Sequence, residues 1–147
     1  MWRVSDPDFE ARVKAAFDAQ PLMRFIGAAL TRVGAGECCI DLPFRTELSQ
    51  QNGFFHGGIV GALADNAGGY AGYTLMAADA GVLTVEYKLN LMAPAQGDRM
   101  VAEGQVLRAG RNLVVTRADV FVDGENGRIH CATMQQTLMT MHGKGVA

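Results

Sequence analysis

The sequence predicts an α+β fold in which an antiparallel sheet wraps around one long central helix. Its 147 residues are 49% apolar, which suits a single domain with one core. The stretch from Gly57 to about Met76 is nearly all apolar and long enough for roughly five helical turns. Most of the remaining chain consists of short apolar segments separated by turns that are rich in Gly, Pro and Asp, as in β-hairpins. The sheet needs an apolar element to cover, and the central helix is the long one available.

A helical segment is expected over residues 1–26. Asp6 can cap a first helix, and proline follows it at a position that suits the first turn. The apolar side chains of that helix recur every four residues and form one stripe of Phe9, Val13 and Phe17. Pro21 should end the helix, which leaves residues 22–25 as a short turn.

Two strands are expected before the central helix and four after it, over residues 28–33, 37–44, 83–91, 100–108, 112–122 and 129–141. From Leu83 to Leu91 apolar and polar residues alternate strictly, so one face of this strand should be buried. Thr84 belongs to the polar set in that alternation. Residues 142–147 are expected to form a flexible tail of the single 1–147 domain.

Composition argues against several classes of protein. A net charge of −2 without any run of Lys or Arg gives no indication of a nucleic-acid partner. No apolar run reaches the roughly 20 residues of a membrane span, and the charged N-terminus does not resemble a secretory signal. Three cysteines without metal-site spacing are expected to be reduced thiols in a cytoplasmic protein. Three widely spaced histidines do not suggest a zinc site.

The central helix carries an unusual stripe of glycines and one acid. Gly61, Asp65, Gly68 and Gly72 follow one another at steps of four, three and four, which places them on one face. Each glycine inside a helix costs about 1 kcal/mol relative to alanine, so the stripe needs a reason. Two explanations are open, which are close packing against the sheet and room for a substrate beside the acid.

Asp65 is the strongest candidate for chemistry. A buried carboxylate has to pair, take up a proton or face a wet cavity, because burial without a partner costs several kcal/mol. A structural role would bond Asp65 to backbone or to a distant Arg. A catalytic role would make it a general base or a nucleophile.

The start of the helix, at His56, Gly57 and Gly58, is the second candidate. The first amides of a helix lack intrahelical acceptors and carry the positive end of the dipole, so they can polarise a carbonyl oxygen that approaches them. His56 either fixes this helix start by hydrogen bonds or acts as a base. Two turns, about 11–12 Å, separate the helix start from Asp65. We therefore expect Asp65 of one chain to work with the helix start of a second chain in a symmetric homodimer.

Two further sets of polar side chains, one before the central helix and one on the later strands, each have two possible interpretations. The loop before the helix contains Gln50 and Asn52, whose amides either face solvent or bond a substrate carbonyl or a water. Arg108 and Arg111, together with Lys88, form either an ordinary charged turn or a clamp for the phosphates of a large anionic ligand.

The segment HGGIVGALADNAGG, which begins at His56, resembles the signature of the hotdog-fold acyl-CoA thioesterases of the PaaI-type, phenylacetate-pathway branch. VEYKLNLMAPAQGD and AGRNLVVTRADVFV resemble the strand and the hairpin that follow in that family, so the resemblance covers residues 50–137. It implies a hotdog fold, homodimers that often pair into homotetramers, and hydrolysis of acyl-CoA to free acid and coenzyme A. It implies neither a metal nor a redox cofactor.

The resemblance also implies roles for individual residues. Asp65 matches the acid that activates water or attacks the thioester, and the Gly57 N–H matches the group that polarises the carbonyl. His56 matches a supporting histidine, and Thr84 a residue that orients the acid and the water. Gln50 stands where many members have Asn.

Two other functions remain open on this fold. One is a hydratase or dehydratase acting on enoyl-CoA, a class that pairs a histidine with an acid. The other is a non-catalytic module that binds or senses acyl-CoA.

Overall fold

The computed structural model describes residues 1–145. Helices α1 and α2 come first, followed by strands β1 and β2, a 3-10 turn and the long helix α3, and four further strands complete the chain. Their bounds are α1 Phe9–Asp18, α2 Pro21–Ile26, β1 Ala29–Gly34, β2 Glu37–Pro43, the 3-10 turn Thr46–Leu48, α3 Gly57–Tyr73, β3 Gly81–Leu91, β4 Arg99–Ala109, β5 Leu113–Gly124 and β6 Gly127–Met141.

The six strands form one sheet in the order β1-β2-β4-β5-β6-β3, and all neighbours are antiparallel. Helix α3 packs against five strands of that sheet, β2 to β6. At the closest approach, a side chain at Gly104 of β4 would collide with the Ala67 carbonyl of α3. The predicted architecture of a sheet around one central helix is therefore confirmed, although α3 ends at Tyr73 rather than near Met76.

The prediction of a short turn at residues 22–25 is wrong, because these residues belong to helix α2. Pro21 occupies the first turn of α2, where its fixed backbone angle favours a helix and its missing N–H costs nothing. Gly27, in the left-handed conformation with φ of 83°, ends the helix. The proline that ends α1 also starts α2.

Asp6 does not sit at the cap position of α1, which falls to Asp8. The Asp6 carboxylate accepts from the Asp8 N–H at 3.0 Å and from Nε of Arg12 at 2.7 Å. The Arg12 guanidinium also donates to the carbonyls of Tyr73, at 3.3 Å, and Met76, at 2.9 Å. These bonds fix α1 across the C-terminal end of α3.

A β-bulge at Val85 changes the faces of strand β3. Thr84 pairs with Leu138 and Glu86 with Thr137, so Val85 is the extra residue. The bulge turns Thr84 towards α3, on the same face as Leu89 further along the strand. The strict alternation of the sequence placed Thr84 on the opposite face, and that prediction is wrong because the extra residue shifts the period.

Several apolar side chains of β3 are not covered by the described part of their own chain, although Val82 and Leu89 are partly buried. β3 stands at the edge of the sheet, and Leu83, Val85 and Leu91 are 57–58% exposed. The predicted buried face of this strand is therefore wrong for a single chain. An edge strand with exposed apolar residues is a surface on which a second strand can pair.

The glycine stripe of α3 mainly serves packing. A Cβ at Gly68 would meet the side chains of Gln136 and Thr116 of the sheet, and one at Gly72 would meet Leu138. A Cβ at Gly61 would come within 3.3 Å of a Leu89 methyl group on β3. The sheet therefore occupies the space that the missing side chains leave at these positions.

Two further expectations concern the end of the chain and the cysteines. The Gly145 N–H donates to the Asp79 carbonyl at 2.7 Å, and residues 146 and 147 of the expected tail lie outside the described residues. All three cysteines are buried and form no disulfide, and burial raises the pKa of Cys38 to about 12 and that of Cys131 to about 11. Among residues 1–145, no helix is both long enough and apolar enough to cross a membrane.

Candidate active site

The carboxylate of Asp65 is held on one side and open on the other. Its Oδ1 accepts from the Thr84 hydroxyl at 2.7 Å and from the side-chain amide of Gln136. No group within residues 1–145 donates to Oδ2, and Asp65 forms no ion pair there. Asp65 therefore does not have the structural role considered from the sequence, in which a backbone group or a distant Arg would be its partner.

Gln136 is the member of the site that sequence reasoning missed. It is 1% exposed, and its Nε2 lies 3.2 Å from Thr84 Oγ1 while its Oε1 accepts from the Thr116 hydroxyl at 3.0 Å. A signal was available in the sequence. Counting in twos from Met134 and Leu138 puts Gln136 on the apolar face of β6, where a polar group needs a partner.

A cavity of about 780 Å³ opens beside Asp65. Asp65 and Thr84 lie at one part of its wall, and residues of α1 and α3 form much of the rest. Gly69 of α3 lines it, and a Cβ there would meet no atom of residues 1–145 within 4 Å. The open space that we expected beside the glycine stripe is thus found at Gly69, a neighbour of the stripe.

The start of α3 leaves one amide free. The ring of His56 caps the helix, since Nδ1 accepts from the Gly58 N–H at 2.8 Å. The next two amides, of Ile59 and Val60, donate to the His56 carbonyl. Within the described chain, the Gly57 N–H has no acceptor. This geometry agrees with the reading of His56 as the residue that fixes the helix start.

Gly57 lines a second cavity, of about 340 Å³, together with Gln50. The side-chain oxygen of Gln50 accepts from the backbone N–H groups of Asn52 and Phe54 and closes the turn. Its amide nitrogen has no acceptor among residues 1–145 and can donate to a group in the cavity. Asn52 is exposed at the rim of this loop.

The acid and the free amide do not meet within one chain. Asp65 lines the first cavity but not the second, and Gly57 lines the second but not the first. The eight residue steps from Gly57 to Asp65 on α3 correspond to about 12 Å along the helix axis. The separation expected from the sequence is therefore present in the fold.

The predicted basic cluster is only partly assembled. Arg108 and Arg111 flank the β4-β5 turn and are exposed. Lys88 lies on β3, three strands away from β4 in the sheet order, which corresponds to about 14 Å. Lys88 therefore does not join the two arginines within one chain, because β5 and β6 separate their strands.

No set of three His, Cys, Asp or Glu side chains in residues 1–145 comes together as a metal site would require. The three histidines have other neighbours. His56 caps α3, His130 lies 2.9 Å from Asp119, and His142 lies 3.1 Å from Asn112.

Comparison with known families places this geometry in context. Residues 52–128 match the model of the Thioesterase superfamily. A thioesterase family protein from Silicibacter pomeroyi is 37% identical, with a TM-score of 0.89 and coverage of 90% of this chain and 98% of that one. A protein of Saccharolobus solfataricus with a provisional esterase name is 29% identical over 107 residues, which are 73% of this chain and 75% of that protein.

A more distant structure shares the fold. The PaaI protein of E. coli, from the phenylacetic acid degradation operon, is 16% identical with a TM-score of 0.82. The alignment covers 98% of this chain and 100% of that one. At this identity the likeness concerns the fold, and it confirms the hotdog arrangement of sheet and central helix that the sequence predicts.

Proposed function

Since the chain belongs to the thioesterase superfamily, we propose that it hydrolyses an acyl-CoA thioester to the free acid and coenzyme A, as a member of the PaaI-type branch. The observation that carries the proposal is the carboxylate of Asp65, whose Oδ1 is held by Thr84 and Gln136 and whose Oδ2 has no donor among the described residues and lies beside a large cavity. A carboxylate fixed through one oxygen presents the other to a water molecule or to a carbonyl carbon.

The Gly57 amide supplies the second half of the chemistry. It is the first amide of α3, it has no acceptor within residues 1–145, and the helix dipole adds to its positive charge. A thioester oxygen bonded there is polarised, and the negative charge that grows on it during attack is stabilised. The Gln50 amide is a further donor beside the same oxygen.

Two chains are needed to assemble this site. Asp65 and Gly57 of one chain line different cavities, so we infer that Asp65 acts with Gly57 of a partner chain in a homodimer. The uncovered apolar residues of edge strand β3 support this arrangement, because strand pairing across an edge buries them. A two-fold axis would then create two equivalent sites.

The reaction follows from these placements. The oxygen of a water activated by Asp65, or Oδ2 itself, adds to the thioester carbon while the carbonyl oxygen takes the negative charge beside the Gly57 N–H. The carbonyl reforms as the carbon–sulfur bond breaks, and the coenzyme A thiolate leaves and takes up a proton. Where Oδ2 attacks, water then hydrolyses the resulting anhydride and restores the carboxylate.

Coenzyme A is a large anion and needs cations outside the reacting centre. Arg108 and Arg111 at the β4-β5 turn are exposed and are available for its phosphates. Lys88 belongs to a different part of the surface and would contact the phosphates only from another direction.

The test is release of thiol from a panel of acyl-CoAs by the wild type and by Asp65→Asn. The substitution keeps the shape of the side chain and removes its charge, so the rate should fall by at least about a hundredfold, the usual scale for loss of a general base. Equal rates would contradict the proposal. Binding of acyl-CoA without thiol release by the wild type would favour a binding module. Addition of water to an enoyl-CoA would favour a hydratase.

A further inference from the structure

The cavity beside Asp65 extends beyond the carboxylate that the proposed hydrolysis uses. It runs from Asp65 and Thr84 between α1 and α3 to Tyr73 and Arg12. Small residues line the cavity at Ala15 and Ala16 of α1, at Ala19 just after that helix, and at Gly69 of α3. These small residues leave the volume open, since a larger side chain at any of them would point into it.

One wall of this cavity is polar. Nε2 of Gln20, which follows α1, donates to Oδ1 of Asn66 at 2.9 Å and to the hydroxyl oxygen of Tyr70. Both hydrogens of the Gln20 amide are then in use. Asn66 donates in turn to the Ala62 carbonyl at 3.1 Å. Gln20, Asn66 and Tyr70 all line the cavity, and we call them the polar wall.

The polar wall includes a hydroxyl donor that is not in use. The Tyr70 hydroxyl accepts from Gln20, but no group in residues 1–145 accepts its proton. Burial raises the pKa of Tyr70, so the hydroxyl keeps that proton and can donate it. A buried donor without an acceptor destabilises the protein, and a ligand oxygen that accepts from it removes this cost.

The charged residues around the cavity determine whether it favours a charged or a neutral ligand oxygen. Asp65 and Asp79 both line it. The charge of Arg12, the cation among its lining residues, is offset by Asp6 at 2.7 Å, and its Nη1, which has no acceptor in residues 1–145, is buried and not open to a ligand. A carboxylate in the cavity would therefore be repelled, whereas a neutral hydroxyl or carbonyl oxygen would not.

The position of Tyr70 on α3 determines where a ligand oxygen bonded to its hydroxyl would lie. Tyr70 follows Asp65 by five residues, which corresponds to about 7.5 Å along α3, and helical side chains lean back towards the N-terminus. Asp65 and Tyr70 line the same cavity, so an oxygen that accepts from the Tyr70 hydroxyl would belong to a part of the acyl group away from the thioester carbon.

From these observations we propose that the cavity between α1 and α3 is the subsite for the acyl group. Its polar wall, through the Tyr70 hydroxyl, selects acyl groups with an apolar body and a neutral oxygen several bonds from the thioester carbon. This inference rests on the proposed thioesterase function, because that function places the thioester beside Asp65.

The test uses straight-chain acyl-CoAs of equal length that end in a methyl, a hydroxyl or a carboxylate group, at several lengths. Dissociation constants are measured by calorimetry with Asp65→Asn, which keeps the substrate intact, and with the same protein carrying Tyr70→Phe. Tyr87→Phe is the matched control, since it removes a tyrosine hydroxyl that lines neither of the two cavities.

We expect Tyr70→Phe to weaken binding of a hydroxyl-ended acyl-CoA about tenfold, the effect of one hydrogen bond, and to leave methyl-ended ones nearly unchanged. Tyr87→Phe should change neither. An equal effect of Tyr70→Phe on all acyl-CoAs, preferred binding of the carboxylate-ended set, or no binding of any acyl-CoA would overturn the inference.

Thiol release by the wild type, measured on the same panel, separates this inference from the proposed function. Selective binding without thiol release supports the subsite and contradicts the thioesterase. Thiol release without any selectivity that depends on Tyr70 supports the thioesterase and contradicts the subsite.

Discussion

The side-chain amide of Gln136 donates to Oδ1 of Asp65, and through this bond the sheet holds the acid of the central helix. The Thr84 hydroxyl, from the edge strand, donates to the same oxygen at 2.7 Å. Because both donors act on Oδ1, the other oxygen is left for chemistry. Gln136 is a positioning residue in this scheme, since it acts on the reaction through Asp65.

The first prediction concerns Gln136. Gln136→Met keeps the volume of the side chain and removes both bonding groups, so Asp65 loses one of its two donors. We expect kcat to fall about tenfold to a hundredfold, the scale of a hydrogen bond to a charged group, with KM changed little. The measurement is steady-state hydrolysis of the best acyl-CoA substrate.

Gln135→Met is the matched control, because Gln135 is the next residue on β6 and is exposed on the other face of the sheet. It should keep the kcat of the wild type. A change in KM alone for Gln136→Met, or the same loss in both variants, would show that Gln136 does not position the acid.

The second prediction concerns two neighbouring glycines of α3. Gly68→Ala should destabilise the fold by about 1–3 kcal/mol, because its methyl group would collide with Gln136 and Thr116. Gly69→Ala should stabilise it by about 0.5–1 kcal/mol, since nothing lies within 4 Å of the new methyl and alanine favours the helix. Urea denaturation of both variants measures the two changes, and effects of the same sign would refute the packing described for the stripe.

The third prediction concerns acid stability. Arg128 and, next, Arg99 lower the pKa of Asp123 from 3.8 to about 2, through hydrogen bonds of 2.7 Å from each of them. A carboxyl group with a lowered pKa stabilises the native state above its ordinary pKa, and this contribution disappears as the pH falls through the lowered value. The wild type should therefore lose its advantage over Asp123→Asn between about pH 4 and pH 2. Melting temperatures across that range provide the measurement, and a gap that stays constant with pH would argue against the ion pairs.

The order of elements and the position of Asp65 could be predicted because they depend on periodicity and composition. A long apolar helix and alternating strands determine which segments pack together, and a lone acid in such a helix stands out. The unbonded amide at the start of α3 could be predicted because the first amides of every helix lack intrahelical acceptors.

The details that sequence reasoning missed depend on tertiary contacts. The bulge at Val85 changes the face of Thr84, and no local pattern of residues indicates an extra residue in a pair of strands. Gln136 becomes part of the site only because Gly68 leaves space for it across the helix–sheet contact. The separation of Lys88 from Arg108 follows from the strand order, which the sequence does not specify.

The central claim is that Asp65 of one chain works with the Gly57 amide of another. It can be tested with Asp65→Asn and Gly57→Pro, which each remove one half of the site. Proline lacks the N–H and suits the first position of a helix. The new ring would contact a methyl group of the flexible Leu91 side chain. Each variant alone should be nearly inactive.

The decisive measurement is the thiol-release rate of mixed dimers that contain one chain of each variant, isolated by two different affinity tags. In a shared site, the mixed dimer combines the intact Asp65 of one chain with the intact Gly57 of the other. One of its two sites is then complete, so we expect about half the activity of the wild type. A site contained within a single chain would leave the mixed dimer as inactive as its two parents.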